Sequence, residues 1–191
     1  NPQLIFESLN STGLKLTQTD LVRNYILMGL DEARQNQIYN NHWYPMEQQF
    51  SEMGKGEEFD KFMRYFLNVQ TGNERIVKEN VYQEFKAYWE NKDNIEDTIE
   101  KIHQFSEYYA DLFFGTFENK QVSTIAKNIK ELKADVVYPF LLAVIDDQKH
   151  GLVTDSELIE IFNLVESYVF RRAICDVPTN SMNKTFPVLA R

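Results

Sequence analysis

Apolar residues recur at spacings of three and four along nearly the whole of this 191-residue chain, and nowhere do they alternate convincingly over the length of a strand. Phe59, Phe62, Met63, Phe66 and Leu67 form one such set. Ile95, Ile99, Ile102, Phe105, Tyr109 and Leu112 form another, and Leu158, Ile161, Phe162, Val165, Tyr168 and Val169 a third. Each stripe marks a helix face that must be covered by a neighbour. The sequence therefore predicts an all-α fold, an irregular multi-helix bundle of about eight to ten helices. A hydrophobic content of 43% supplies the material for its core.

Local signals place the elements. Asn1-Pro2 reads as a helix start that runs to about Asn10, and Gly13 permits a positive φ. Leu16 and then Thr17-Gln18-Thr19-Asp20 make a capping-box-like start for a helix carrying Leu21, Tyr25 and Met28 on one face. A helix from about Asp31 is expected to reach the Asn40-Asn41 pair, with Pro45 starting another that Gly54 and Gly56 break. Later helices are expected at about 122–132, 135–149 and 155–176, the last stopped by Pro178, and Ser181 caps a final short helix with Phe186. No repeat of constant period occurs. The Gly54-Lys55-Gly56 break divides an N-terminal helical lobe, 1–55, from a main bundle, 56–191.

With one cysteine, Cys175, no intrachain disulfide can form, and a secreted, disulfide-stapled class is excluded. The longest uncharged apolar stretch, Val136 to Ile145, is too short to cross a bilayer, so no membrane partner is expected and a cytoplasmic location fits best. Charge is unevenly spread. Residues 1–30 sum to zero and 171–191 to +3, so the overall −9 leaves −12 for the middle. An anionic ligand is therefore to be sought at the ends.

Most local motifs have a structural explanation. Asp146, Gln148, His150, Gly151, Val153 and Glu157 fall on positions one, three, five, six, eight and twelve of a calcium loop, yet His150 offers nitrogen where oxygen is wanted. The alternative is that Gly151 ends one helix while Thr154 and Glu157 cap the next. His42, His103 and His150 lie far apart in sequence with no ligand spacing, so no metal site is expected, and His103 reads as partly buried. Cys175 reads as a buried thiol. No nucleophile elbow, phosphate-cradling glycine loop or Ser/His/Asp order is present, so no catalytic residue is assigned. The polar loop Asn10-Ser11-Thr12-Gly13 precedes a helix and suits either an ordinary turn or an anion.

The stretch Ile5-Phe6-Glu7-Ser8-Leu9-Asn10-Ser11-Thr12-Gly13-Leu14-Lys15-Leu16, continuing to Asn24, resembles the Phe-Glu-x-x-Asn-x-x-Gly-x-x-Leu signature of the GmrSD-type restriction endonucleases. The segment Glu166 to Cys175 with Arg171-Arg172, followed by Pro178-Thr179 and Asn183-Lys184, looks like that family's double-arginine segment. Together the two place nearly the whole chain within the resemblance. Such proteins cut modified foreign DNA in bacterial defence, pairing a nucleotide-using ParB-like domain with a His-Asn-His-type nuclease. The Asp-Gly-Gln-Gln-Arg motif of the first and a His-rich motif of the second are missing from this sequence. The chain, which lacks an initiator methionine, is thus expected to be an excised, non-catalytic helical part joining flanking domains of a larger protein.

The resemblance implies that Glu7, Asn10, Ser11 and Gly13 complete an upstream nucleotide pocket, although Thr12 stands where the family often has Arg. It implies DNA as a partner, with Arg171, Arg172 and Lys184 as phosphate contacts unless the arginines pair internally, and it implies NTP and a divalent metal for the full-length protein only. Oligomeric state is left open. The competing reading is a helical protein-interaction scaffold with no DNA-related role.

Overall fold

The computed structural model describes residues 16–177, apart from 55, 56 and 91–93, together with 182–189. Among the described residues there is no strand, and ten α-helices account for most of the chain, as the periodicity predicts. They are α1 Gln18–Met28, α2 Glu32–Ile38, α3 Tyr44–Met53, α4 Glu57–Thr71, α5 Val81–Trp89, α6 Ile95–Phe114, α7 Lys120–Glu131, α8 Tyr138–Lys149, α9 Asp155–Ile174 and α10 Met182–Leu189. No helix among the described residues is long and apolar enough to cross a membrane. The expected first helix, and the Gly13 turn after it, lie outside the described residues. Lys55 and Gly56, the centre of the expected lobe boundary, do so too.

Two compact units emerge, one comprising Asn1–Leu67 with Ile76–His103 and the other Asn68–Arg75 with Gln104–Arg191. In the first, an aromatic cluster forms the core because α3 and α4 carry phenylalanines at helical spacing. Phe50 stacks on Phe59 at 4.4 Å between centroids and on Phe62 at 5.2 Å, while Phe66 meets Tyr88 of α5 edge-on at 5.8 Å. Phe62, Met63, Phe66 and Leu67 are fully buried. On α1 the buried face is Leu21, Val22 and Ile26, and Met28, expected on that face, stands exposed past the last core turn.

The expected stop at Asn40-Asn41 does not occur. Residues 39–43 form a π-helical turn that joins α2 to α3 with helical backbone angles throughout, and Tyr44 donates its N–H to the Tyr39 carbonyl five residues back. Pro45 explains the widened turn. It has no N–H to give to the ladder, and a helix accommodates such a gap by slipping one residue ahead of it.

In the second unit α9 packs on α7 and α8, and α10 packs on α8. Leu158, Phe162, Val165 and Val169 make the buried stripe of α9, and Val122, Ile125, Ala126 and Ile129 that of α7. Helix α9 ends at Ile174, two residues before the expected stop, where Asp176 takes a positive φ of 50°. Cys175 caps that end and is exposed, which corrects the expectation of a buried thiol. The core stripe has run out one turn earlier, at Val169.

Candidate functional site

The amino end of α1 is held by side chains from two directions. Thr17 and Asp20 form the capping box that the sequence predicts, the Thr17 hydroxyl accepting from the Asp20 N–H at 3.1 Å and the Asp20 carboxylate accepting from the Thr17 N–H at 3.1 Å. From α4, the buried Asp60 carboxylate accepts the Thr19 N–H at 2.9 Å, the Gln18 N–H at 3.4 Å and the Thr19 hydroxyl. A carboxylate at a helix amino terminus is stabilised by free amides and by the positive end of the dipole, which offsets the cost of burying its charge. Gln18 links a further element, its side-chain oxygen accepting the Tyr82 N–H at 3.0 Å and so capping α5, where Asn80 supplies no side-chain bond.

Beside this junction lies a cleft of about 330 Å³, walled by Trp43, Phe50 and Phe59 and edged by Thr17, Thr19, Asp20, Glu47 and Ser51. Glu47 is its polar centre. It accepts the Arg23 guanidinium at 2.6 Å, the Trp43 indole N–H at 3.0 Å and the Tyr39 hydroxyl at 3.0 Å, and Arg23 also reaches Asp20 at 3.2 Å. The Tyr39 hydroxyl is pushed above its ordinary pKa, first by desolvation and then by its bond to Glu47, so it stays a neutral donor at physiological pH.

This electrostatic layout decides what the described cleft can hold. The one guanidinium here, Arg23, is already paired with both Asp20 and Glu47, and the first amides of α1 are engaged by Asp60 and Thr17. A triphosphate does not fit these residues. The Asn10 to Gly13 loop, if it binds an anion, must do so with its own amides rather than with those of α1.

The residues expected at the site are only partly placed. Glu7, Asn10, Ser11 and Gly13 lie outside the described residues, as does the Lys184 side chain, although Lys184 belongs to α10. Arg171 and Arg172 occupy the last turn of α9, where positive charge complements the carbonyl end of the helix. Arg171 is exposed with no side-chain hydrogen bond or ion pair among the described residues. Arg172 donates to the Tyr168 hydroxyl at 3.2 Å.

Asp60, Arg23 and Glu47 are absent from the sequence expectation. Asp60 carried a readable signal, since it shares a helix face with Met63 and Leu67, at i+3 and i+7, and a lone carboxylate there requires partners. The Glu47 network carried none, because it depends on the π-helical turn. Two histidines far apart in sequence also meet, His42 and His103 packing edge-on at 5.6 Å between centroids. Among the described residues no three His, Cys, Asp or Glu side chains gather as a metal would need.

The 146–157 segment follows the capping alternative. Leu152 donates to Asp147 O at 2.8 Å and Gly151, at φ 74°, to Gln148 O at 3.0 Å, the paired bonds of a Schellman ending. Glu157 accepts the Thr154 N–H and hydroxyl at 2.8 and 2.7 Å, and Gln148 donates to Asp155 at 2.8 Å. The Thr154 N–H, and then its hydroxyl, lower the Glu157 pKa. A carboxyl lowered by folding stabilises the fold above its unfolded value and loses that contribution as pH falls through its folded value. Glu157→Ala should therefore lower the melting temperature at neutral pH, and the gap to the unaltered chain should close as pH falls below the usual glutamate range. Paired thermal melts across pH check this, and a gap independent of pH would dismiss the charge as its source.

Comparison with protein families, with curated proteins and with solved structures finds no match in any of the three. The functional reading therefore stands on the residues themselves.

Proposed function

We propose that this chain is a non-catalytic helical part of a bacterial, cytoplasmic restriction-type endonuclease that targets modified foreign DNA. It couples a nucleotide-using domain on one side to a nuclease domain on the other. The observation that carries the reading is the Phe6-Glu7…Asn10…Gly13…Leu16 signature, which continues into Asp20-Leu21-Val22-Arg23-Asn24. In this reading Glu7, Asn10, Ser11 and Gly13 close one side of the nucleotide pocket. In this reading the neighbouring domain holds the phosphates and their divalent metal, because the carboxylates around the start of α1 disfavour a triphosphate there. Supporting the coupling role is the way Asp60 and Gln18 tie the start of α1 to α4 and α5, while Glu47 of α3 holds Arg23 in its second turn. A shift of the preceding loop would act directly on this junction.

Arg171 and Arg172, with Lys184, are the proposed contacts to DNA phosphates. Phosphate contacts by cations position a protein on DNA without reading its sequence. The test is an assay on the full-length protein containing this chain. It should cleave DNA bearing modified bases only when NTP and a divalent metal are supplied, leaving unmodified DNA intact. A full-length protein without NTP hydrolysis or DNA cleavage would favour the scaffold reading instead.

A further inference from the structure

One exposed strip of α9 changes character from acidic to basic along its length. Glu160 and Arg171 are both exposed, and neither side chain has a hydrogen bond or ion pair among the described residues. They are roughly 16 Å apart along the axis at 1.5 Å per residue, too far to pair with each other. At 100° per residue Leu164 falls in the same strip, with Tyr168 at its edge. Leu164, at the middle of the helix, is 70% exposed and Tyr168 39%. Tyr168 is held in place, its hydroxyl accepting from Arg172 and its ring edge-on to Phe186 at 5.9 Å. Beside them a groove of about 300 Å³ opens, lined by Phe140, Ile161, Leu164, Tyr168, Phe186 and Leu189. A leucine this exposed beside an open apolar groove marks an interaction surface rather than a stray side chain.

We propose that this face binds a second copy of the same chain, with the two α9 helices antiparallel about a two-fold axis near residues 165 and 166. The charge pattern selects this occupant. The midpoint between Glu160 and Arg171 and the midpoint between Leu164 and Tyr168 fall within one residue of each other, so a single axis satisfies both pairs. Glu160 of each copy then faces Arg171 of the other, and Leu164 of each packs by Tyr168 of the other at the mouth of the groove. Each contact occurs twice, as an isologous interface requires. Parallel pairing would set Glu160 on Glu160 and Arg171 on Arg171. The inference rests on this chain alone, and an Arg171 paired in this way leaves the proposed phosphate contacts to Arg172 and Lys184.

Sedimentation or light scattering of the 191-residue chain over a range of concentrations tests it. The expected mass is that of two chains, weakening as salt screens the charged pairs. Leu164→Asp should weaken association about a hundredfold, with helical circular dichroism retained. Arg171→Glu alone should weaken it roughly tenfold, as should Glu160→Arg alone, and the double swap should restore most of the loss. A single-chain mass at every concentration leaves the face to another partner or a flanking segment and overturns the proposal. Association that survives Leu164→Asp overturns it too. Should that variant lose helix, the exposed charge swaps decide, and a double swap that fails to rescue rejects the antiparallel pairing.

Discussion

Asp60→Ala should destabilise the first unit by about 2–3 kcal/mol, and so lower its melting temperature by roughly 10–20 °C. The carboxylate accepts three donors at once from the first turn of α1, and one of them, the Thr19 N–H, is buried and has no water to turn to. Losing the acceptor strands that donor and removes a helix cap, which together cost more than is gained by no longer burying a charge. Asp60→Asn keeps one acceptor oxygen and should cost clearly less than Asp60→Ala. Equal losses in the two variants would mean that shape rather than hydrogen bonding matters here. The readout is urea denaturation followed by circular dichroism. A change below about 0.5 kcal/mol for the alanine variant would remove Asp60 from the account of how α1 is held.

The largest stability effect is expected at Phe62. Its ring is fully buried against Phe50 at 5.2 Å and lies 6.2 Å from both Phe59 and Phe66, in a cluster contributed by α3 and α4. Phe62→Ala removes most of that side chain from a site whose neighbours are rigid rings, so the hole cannot collapse. The expected cost is about 3–5 kcal/mol. Leu164→Ala is the matching control on the surface, at a residue 70% exposed, and should change monomer stability by about 0.5 kcal/mol or less. Comparable losses at the two positions would contradict the assignment of the core. The same urea titration measures both.

How much of this was legible in the sequence depends on the range of the interactions involved. The helices and their caps were readable because they are local. Thr17 with Asp20, and Thr154 with Glu157, state their geometry within four residues, and the capping alternative for 146–157 needed nothing more distant than Asp147. The π-helical turn at 39–43 was not readable as such. A proline after an Asn-Asn pair signals a break, and only packing of Trp43 and Met46 into the core makes a continuous, locally widened helix the better solution. Arg23 and Glu47 are 24 residues apart, and nothing local to either position announces their pairing. The exposure of Cys175 followed from where the α9 core stripe ends, which the spacing of Leu158, Phe162, Val165 and Val169 already showed.

The division of labour at the start of α1 also bears on the proposed nucleotide pocket. Asp60 and Thr17 occupy the helix amides, and Arg23 is committed to Asp20 and Glu47. On the proposed reading the loop from Glu7 to Gly13 makes its own contacts with the nucleotide, and the Asn10 side chain there offers both a donor and an acceptor. The most direct measurement is the NTP hydrolysis rate of the full-length protein carrying Asn10→Ala, read beside its thermal melt. The proposal predicts a loss of roughly 10- to 100-fold in hydrolysis, the worth of one hydrogen bond to a charged group, with the melting temperature nearly unchanged. Normal hydrolysis in that variant, or a loss that merely tracks a lowered melting temperature, would contradict it.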